Sequence, residues 1–193
     1  MIDLSKYKII LASNSPRRAE LLAGLDIKFN KEVREVDETF PDNLESHLVA
    51  EHIAHLKAKA FDDLDDDIIV IFSDTVVVVD GKVLGKPKDQ LEAKEMLESL
   101  SDGKHQVYSA VVIKKGNKTY SFTDKADVYF NAISEEEIDY YVESRKPFDK
   151  AGAYGIQEWI GMAFIQKING SYFTVMGLPT AQLYSELKKI ITL

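Results

Sequence analysis

The chain has 193 residues, 45% of them apolar, enough for one large domain or two joined lobes with an ordinary core. Its formal net charge of −8 argues against a general nucleic-acid binder. With no cysteine there are no disulfides, no thiol nucleophile and no cysteine-based zinc site. Lys8 to Ala12 reads as a first strand, closed by Ser13-Asn14-Ser15-Pro16. A helix is predicted to about Leu22, with Gly24 as its stop. Residues 26–36 are expected to be extended. Residues 45–60 form a helix with Leu48, Val49, Ile53, Leu56 and Ala60 on one face and Lys57 at the edge of that face. Residues 61–67 are an acidic loop, read as solvated surface rather than a metal site.

Residues 68–79 are apolar on both faces except at Ser73-Asp74-Thr75, the pattern of a central strand covered on both sides. Asp80-Gly81 predicts a tight hairpin. A helix follows from Asp89, where Asp89 and Glu92 make a capping-box-like pair and Ala93, Met96, Leu97 and Leu100 give the apolar stripe. Strands are predicted near 105–114 and 118–130, turning at Gly116-Asn117. Ser134 with Glu137 caps another helix to about Glu143, and residues 145–161 are glycine-bearing and irregular. Asn169-Gly170 predicts a second hairpin between two short strands. A final helix runs from Thr180 to Ile191, with Leu183, Leu187, Ile190 and Ile191 inward. There is no repeat and no flexible linker, so residues 1–193 read as a single domain. The class is α/β with a mixed sheet. No apolar run is long enough to span a membrane, and residues 1–6 lack a signal-peptide pattern; the absence of cysteine fits a cytoplasmic protein.

A carboxylate inside a covered strand is costly unless it is paired, metal-bound or at a cleft. A tight turn at Asp80-Gly81 sets Thr75 opposite Lys86 and Asp74 one residue pair away. Such an acid and base suit a metal and a phosphate; the alternative is an Asp74 bonded to nearby backbone. Ser15 has the character of an N-cap and Pro16 of a first helical residue. Arg17 and Arg18 then oppose the helix dipole, which suits either an anion bound there or pairing with surface carboxylates. Asp37-Glu38-Thr39 is an acidic pair, weak by itself. In Asp149-Lys150-Ala151-Gly152-Ala153-Tyr154-Gly155-Ile156-Gln157, small residues let backbone approach a ligand, and the Gln157 amide can read a base edge; the alternative is an ordinary loop. His47, His52 and His55 fit a solvated helix face, and His105 is uninformative. Gly81 to Pro87 is not a Walker A loop, and no dinucleotide fingerprint is present.

Taken in order, Ser13-Asn14-Ser15-Pro16-Arg17-Arg18-Ala19-Glu20-Leu21-Leu22, Asp37-Glu38-Thr39, Lys57-Ala58, Ser73-Asp74-Thr75-Val76-Val77, Gly85-Lys86-Pro87, Asp149 to Gln157, Asn169-Gly170-Ser171-Tyr172 and Gly177-Leu178-Pro179 resemble the Maf family of nucleoside triphosphate pyrophosphatases. The resemblance implies an α/β fold with a mixed twisted sheet and flanking helices, two lobes around a deep cleft, similar to inosine triphosphatase. It implies hydrolysis of a nucleoside triphosphate to the monophosphate and pyrophosphate, in the branch acting on dTTP, UTP and related modified pyrimidines. A house-cleaning role, a link to cell-division arrest and a homodimer come with it. Carried onto this chain, the pattern makes Asp74 the proton acceptor and ties Arg17, Thr75 and Gln157 to substrate choice. Glu38, Lys57 and Lys86 match charged residues needed for activity. Ser13, Arg18 and Lys150 lie in the same motifs and join the substrate-binding set. Asp74 and Glu38 are assigned to a divalent cation, Mg²⁺ or Mn²⁺. Two positions depart from the family: Phe72 stands where glycine is frequent, and Glu158-Trp159 replaces small residues after Gln157. The rival readings are a non-catalytic nucleotide-binding regulator of septum formation and a phosphohydrolase that releases orthophosphate.

Overall fold

The computed structural model describes residues 2–62 and 64–192; Met1, Leu193 and Asp63 of the acidic loop lie outside the described residues. In chain order the elements are β1 (Lys8–Leu11), α1 (Pro16–Ala23), β2 (Asn30–Lys31), α2 (Val49–Lys59), β3 (Ile68–Val79), β4 (Lys82–Leu84) and α3 (Gln90–Leu100). They continue with β5 (Lys104–Lys115), β6 (Lys118–Phe130), α4 (Glu135–Arg145), α5 (Trp159–Phe164), β7 (Ile165–Asn169), α6 (Tyr172–Met176) and α7 (Thr180–Thr192). The strands form a seven-stranded sheet in the order β2-β1-β3-β5-β6-β7, with β4 paired to β3. β1 runs parallel to β2 and β3, whereas β4 and β7 run antiparallel to β3 and β6, so the sheet is mixed, as the hairpins require. Among the described residues, no helix is long and apolar enough to cross a membrane.

The chain divides into two compact units, the first made of Met1–Asp74, Ser109–Asp124 and Gly177–Leu193. Here Ile9, Ile10 and Leu11 of β1 and Ile69, Val70 and Ile71 of β3 are buried on neighbouring parallel strands, the continuous apolar pattern of covered strands. Each such side chain contributes about 1.5–3 kcal/mol by leaving water. Phe72 is fully buried and meets Phe61 edge to face, with ring centroids 5.1 Å apart. Ser15 caps α1 as predicted, and α7 buries Leu183, Leu187 and Ile190, leaving Ile191 only half-buried. The stripe of α2 differs from the predicted one. Ser46–Leu48 forms a separate 3₁₀ turn and Leu48 is exposed, so the helix starts later and buries Val49, Ala50, Ile53, Ala54 and Ala58. Alanines on that face leave room for close packing, which a search for large apolar residues overlooks.

The second unit is Thr75–Tyr108 with Lys125–Met176. Asp80 and Gly81 both have positive φ, 49° and 77°, the type I′ geometry that matches strand twist. The pairing Val77↔Leu84, Val78↔Val83 and Val79↔Lys82 has the predicted register, but β4 ends at Leu84, so the Thr75–Lys86 pair is not made by the ladder. Instead the Gly85 carbonyl accepts from Gly152 N–H at 3.0 Å, and Pro87 has no N–H to continue a strand. α3 starts at its Asp89 cap, with Glu92 reaching back to Lys88 N–H at 2.7 Å, one residue earlier than a full capping box. The Ser134–Glu137 box on α4 is complete.

The second predicted hairpin does not form. β7 ends at Asn169 and pairs with β6, and the chain beyond Gly170 becomes α6. Gly170 has φ 135° and a Cβ there would lie 2.7 Å from Ala126 Cα, so this glycine serves a close backbone approach rather than a two-residue turn. Ser171 Oγ then accepts Phe173 N–H at 3.2 Å and favours a helical start.

Candidate functional site

In the first unit, three charged side chains meet on one atom. β3 emerges from its buried run with Ser73 fully buried and Asp74 next in line. α2 places Lys57 in its last turn, where the ammonium also favours the negative end of the helix dipole. Lys57 Nζ donates to Asp74 Oδ1 at 2.7 Å and lies 3.2 Å from Glu38 Oε1. The side chains of Lys57 and Asp74 are 16% and 13% exposed, so a charge-assisted bond replaces the water both have lost; Glu38, at 49%, stays open to solvent. Thr39 N–H donates to Asp37 Oδ1 at 3.0 Å, a local turn that holds Glu38 at its corner.

Arg18 braces the backbone beside this group. Its guanidinium donates to the carbonyls of Ser73 at 2.8 Å and Gly177 at 2.9 Å, and to Ser13 Oγ at 3.3 Å. Ser73 Oγ donates to the same Gly177 carbonyl at 3.3 Å, and Ser13 Oγ also accepts Ser15 N–H at 3.2 Å. Burial lowers the guanidinium pKa from its ordinary value, and the Asp74 charge opposes that shift. Arg18 thus fixes the peptide that leads into Asp74, a role the sequence did not suggest for it. Arg17 is half-buried one position earlier.

In the second unit, Thr75 is half-buried and Lys86 is exposed. Lys150 is sequestered, its side chain 8% exposed, between Asp149 Oδ1 at 2.7 Å and Glu158 Oε1 at 3.1 Å. The Tyr141 hydroxyl donates to Glu158 Oε2 and accepts Gly155 N–H at 3.2 Å. Burial, then the bond to Glu158, pushes the Tyr141 pKa up, so the phenol stays a donor. Gln157 Oε1 is buried and accepts no hydrogen bond. Tyr141 was missed in the sequence, although Ile138, Tyr141 and Val142 recur at the spacing of a buried helix face. Glu158 showed itself there only as a departure from the family.

Each unit therefore gathers part of the predicted set. Asp74, Glu38 and Lys57 converge, with Ser13 and Arg18 bonded beside them; Lys150 is bonded next to Gln157 through Glu158. Among the described residues, no three His, Cys, Asp or Glu side chains group together as metal ligands; Glu38 with Asp74 meets on Lys57 Nζ, and Asp149 with Glu158 on Lys150 Nζ.

Residues 8–190 match the family described as Maf-like protein, and the chain belongs to that family. It is 49% identical to a dTTP/UTP pyrophosphatase of Porphyromonas gingivalis (strain ATCC 33277), over 97% of each chain. It is 49% identical to one of Phocaeicola vulgatus, over 97% of this chain and 98% of that one. The Bacteroides thetaiotaomicron dTTP/UTP pyrophosphatase is 47% identical over the same shares. A solved Ham1 protein of Staphylococcus aureus matches with a TM-score of 0.47 and 18% identity over 64% of this chain and 71% of that one, a likeness too slight to carry an argument.

Proposed function

We propose that this chain hydrolyses dTTP, UTP and related modified pyrimidine triphosphates to the monophosphate and pyrophosphate. The observation that carries the reading is the Lys57 ammonium held by Glu38 and by Asp74, an acid midway along the largely buried strand β3. Near-half identity along almost the whole length to proteins named dTTP/UTP pyrophosphatase supports the substrate class. A house-cleaning role and a cytoplasmic homodimer are carried over from the family resemblance.

In the proposed reaction Asp74 takes a proton from water as the water oxygen bonds to the α-phosphorus. The bond from that phosphorus to the bridging oxygen breaks, and its electron pair leaves on pyrophosphate. A positioned base of this kind contributes roughly 10²–10⁴-fold. Lys57 fixes Asp74 Oδ1 at 2.7 Å, so the carboxylate need not reorganise during proton transfer. Arg18, through the Ser73 carbonyl, fixes the peptide on which Asp74 is mounted. On the match of their motifs, Ser13, Arg17, Thr75, Lys86, Lys150 and Gln157 are assigned to the triphosphate and base.

A divalent cation, Mg²⁺ or Mn²⁺, fits the donor set. Glu38 and Asp74 are all-oxygen ligands that reach one cationic atom, and Mg²⁺ is commonly held by one or two carboxylates together with substrate phosphates. When bound, the cation would neutralise charge on the phosphate oxygens. The test is to incubate the protein with Mg²⁺ or Mn²⁺ and dTTP, UTP, CTP, GTP and ATP, measuring monophosphate, pyrophosphate and orthophosphate. Equal monophosphate and pyrophosphate from dTTP or UTP is the expected result. Orthophosphate in place of pyrophosphate would support the rival phosphohydrolase reading, and binding without product the regulator reading.

A further inference from the structure

Residues 155–158 form a turn in which Glu158 N–H donates to the Gly155 carbonyl at 3.0 Å, with Ile156 and Gln157 at its corners. Both ends of that turn are tied to one atom. The Tyr141 hydroxyl accepts Gly155 N–H at 3.2 Å and donates to the Glu158 carboxylate, whose other oxygen lies 3.1 Å from Lys150 Nζ. Asp149 holds the same ammonium at 2.7 Å.

Two glycines make the arrangement sterically feasible. A Cβ on Gly155 would stand 2.9 Å from Glu158 Cδ, and one on Gly161 would stand 2.1 Å from the Ile156 carbonyl oxygen. The carboxylate can therefore lie over the turn, and the first turn of α5 can press against its corner. Sequestering a lysine against Glu158 and bridging that carboxylate with a tyrosine is a costly way to close a loop unless the loop has to keep one geometry. Its corner carries Gln157, whose Oε1 is buried and accepts no hydrogen bond. Uracil and thymine offer an N3–H donor beside the O4 acceptor, a pattern that one amide oxygen and its N–H satisfy together; cytosine offers the reverse pattern. The turn sets where Gln157 stands, and its buried Oε1 offers an acceptor that suits the N3–H of uracil and not the bare N3 of cytosine.

We propose that Glu158 and Tyr141 are positioning residues that hold Gln157 for an N–H donor of a uracil-type base. They thereby set the preference of this chain for uracil and thymine nucleotides over cytosine ones. The proposal rests on the triphosphate pyrophosphatase reading above. It also gives Glu158, which departs from the family pattern, a definite task.

The test compares kcat and KM for UTP and CTP in wild type, Glu158→Ala, Glu158→Gln and Tyr141→Phe, following pyrophosphate release with Mg²⁺ present. Wild type is expected to favour UTP. Glu158→Ala and Tyr141→Phe should lower the UTP to CTP ratio of kcat/KM about tenfold, with the loss mainly in KM for UTP. Glu158→Gln still accepts from the Tyr141 hydroxyl and should recover part of the ratio. A merely structural loosening would lower both substrates alike and leave the ratio unchanged, which would overturn the proposal. Should Glu158→Ala not fold, Tyr141→Phe removes one oxygen and decides the same question. A wild type that favours CTP would refute the uracil and thymine preference itself, whereas discrimination that survives in every variant would refute only the positioning.

Discussion

His105 carries a pH dependence of stability that can be worked from its surroundings. It is 1% exposed, packed edge-on against Phe130 and Tyr154 with ring centroids 5.1 and 5.3 Å away. Nε2 shares a 2.8 Å hydrogen bond with the Tyr154 hydroxyl, and Nδ1 is buried without a partner. Burial lowers the imidazole pKa from 6.5 to about 4. The unfolded chain then binds the proton more tightly than the folded one. Stability is full above pH 6.5 and is lost as pH falls toward 4. At pH 5 the loss is about 2 kcal/mol, and below pH 4 it approaches about 3 kcal/mol. Urea unfolding of wild type and His105→Phe at pH 7 and pH 5 isolates this contribution. The variant leaves the Tyr154 hydroxyl without its partner at both pH values, a cost of about 1–3 kcal/mol that cancels in the pH difference. Wild type should lose about 2 kcal/mol more than the variant between pH 7 and pH 5. Equal losses in the two proteins would refute the assignment of a buried, neutral His105.

Asp74→Asn should lower kcat for UTP by about 10²–10⁴-fold, while calorimetry still detects nucleotide binding. Arg18→Met strips the Ser73 and Gly177 carbonyls of a charged donor. The Gly177 carbonyl keeps the Ser73 hydroxyl, but at about 1.5–3 kcal/mol for each hydrogen bond lost to a charged group the urea midpoint should fall, and kcat should fall with it because Asp74 loses its brace. Gly161→Ala puts a methyl 2.1 Å from a backbone oxygen that no rotamer change relieves, so thermal unfolding should show a loss of about 3 kcal/mol or more.

Periodicity and turn chemistry carried much of the fold. The Asp80-Gly81 hairpin, the Ser15 and Ser134 caps and the α3 stripe all stand where side-chain spacing put them. The Asn169-Gly170 hairpin failed because the same dipeptide serves a close approach to Ala126, a tertiary demand that no local pattern announces. In the candidate site, Asp74 was legible as an acid in an apolar run, and Lys57 as a basic residue at the edge of a buried helix face. That Glu38 joins the same ammonium depends on a turn between extended residues, for which spacing gives no signal. Arg18 has the composition of an anion-binding residue, yet its bonds run to main-chain carbonyls brought near by β3 and by the residues before α7. Tyr141 and Glu158 lie 17 positions apart, and their bond arises from how α4 and the 149–158 loop pack.

The central claim is that water attacks the α-phosphorus with Asp74 as its base, and isotope labelling tests it most directly. UTP would be hydrolysed in ¹⁸O-water with Mg²⁺, and both products read by mass spectrometry, for wild type and Asp74→Asn. A single ¹⁸O in the monophosphate, none in pyrophosphate, and a steep loss of both products in the variant are predicted. Label in pyrophosphate, or undiminished turnover by Asp74→Asn, would contradict the account.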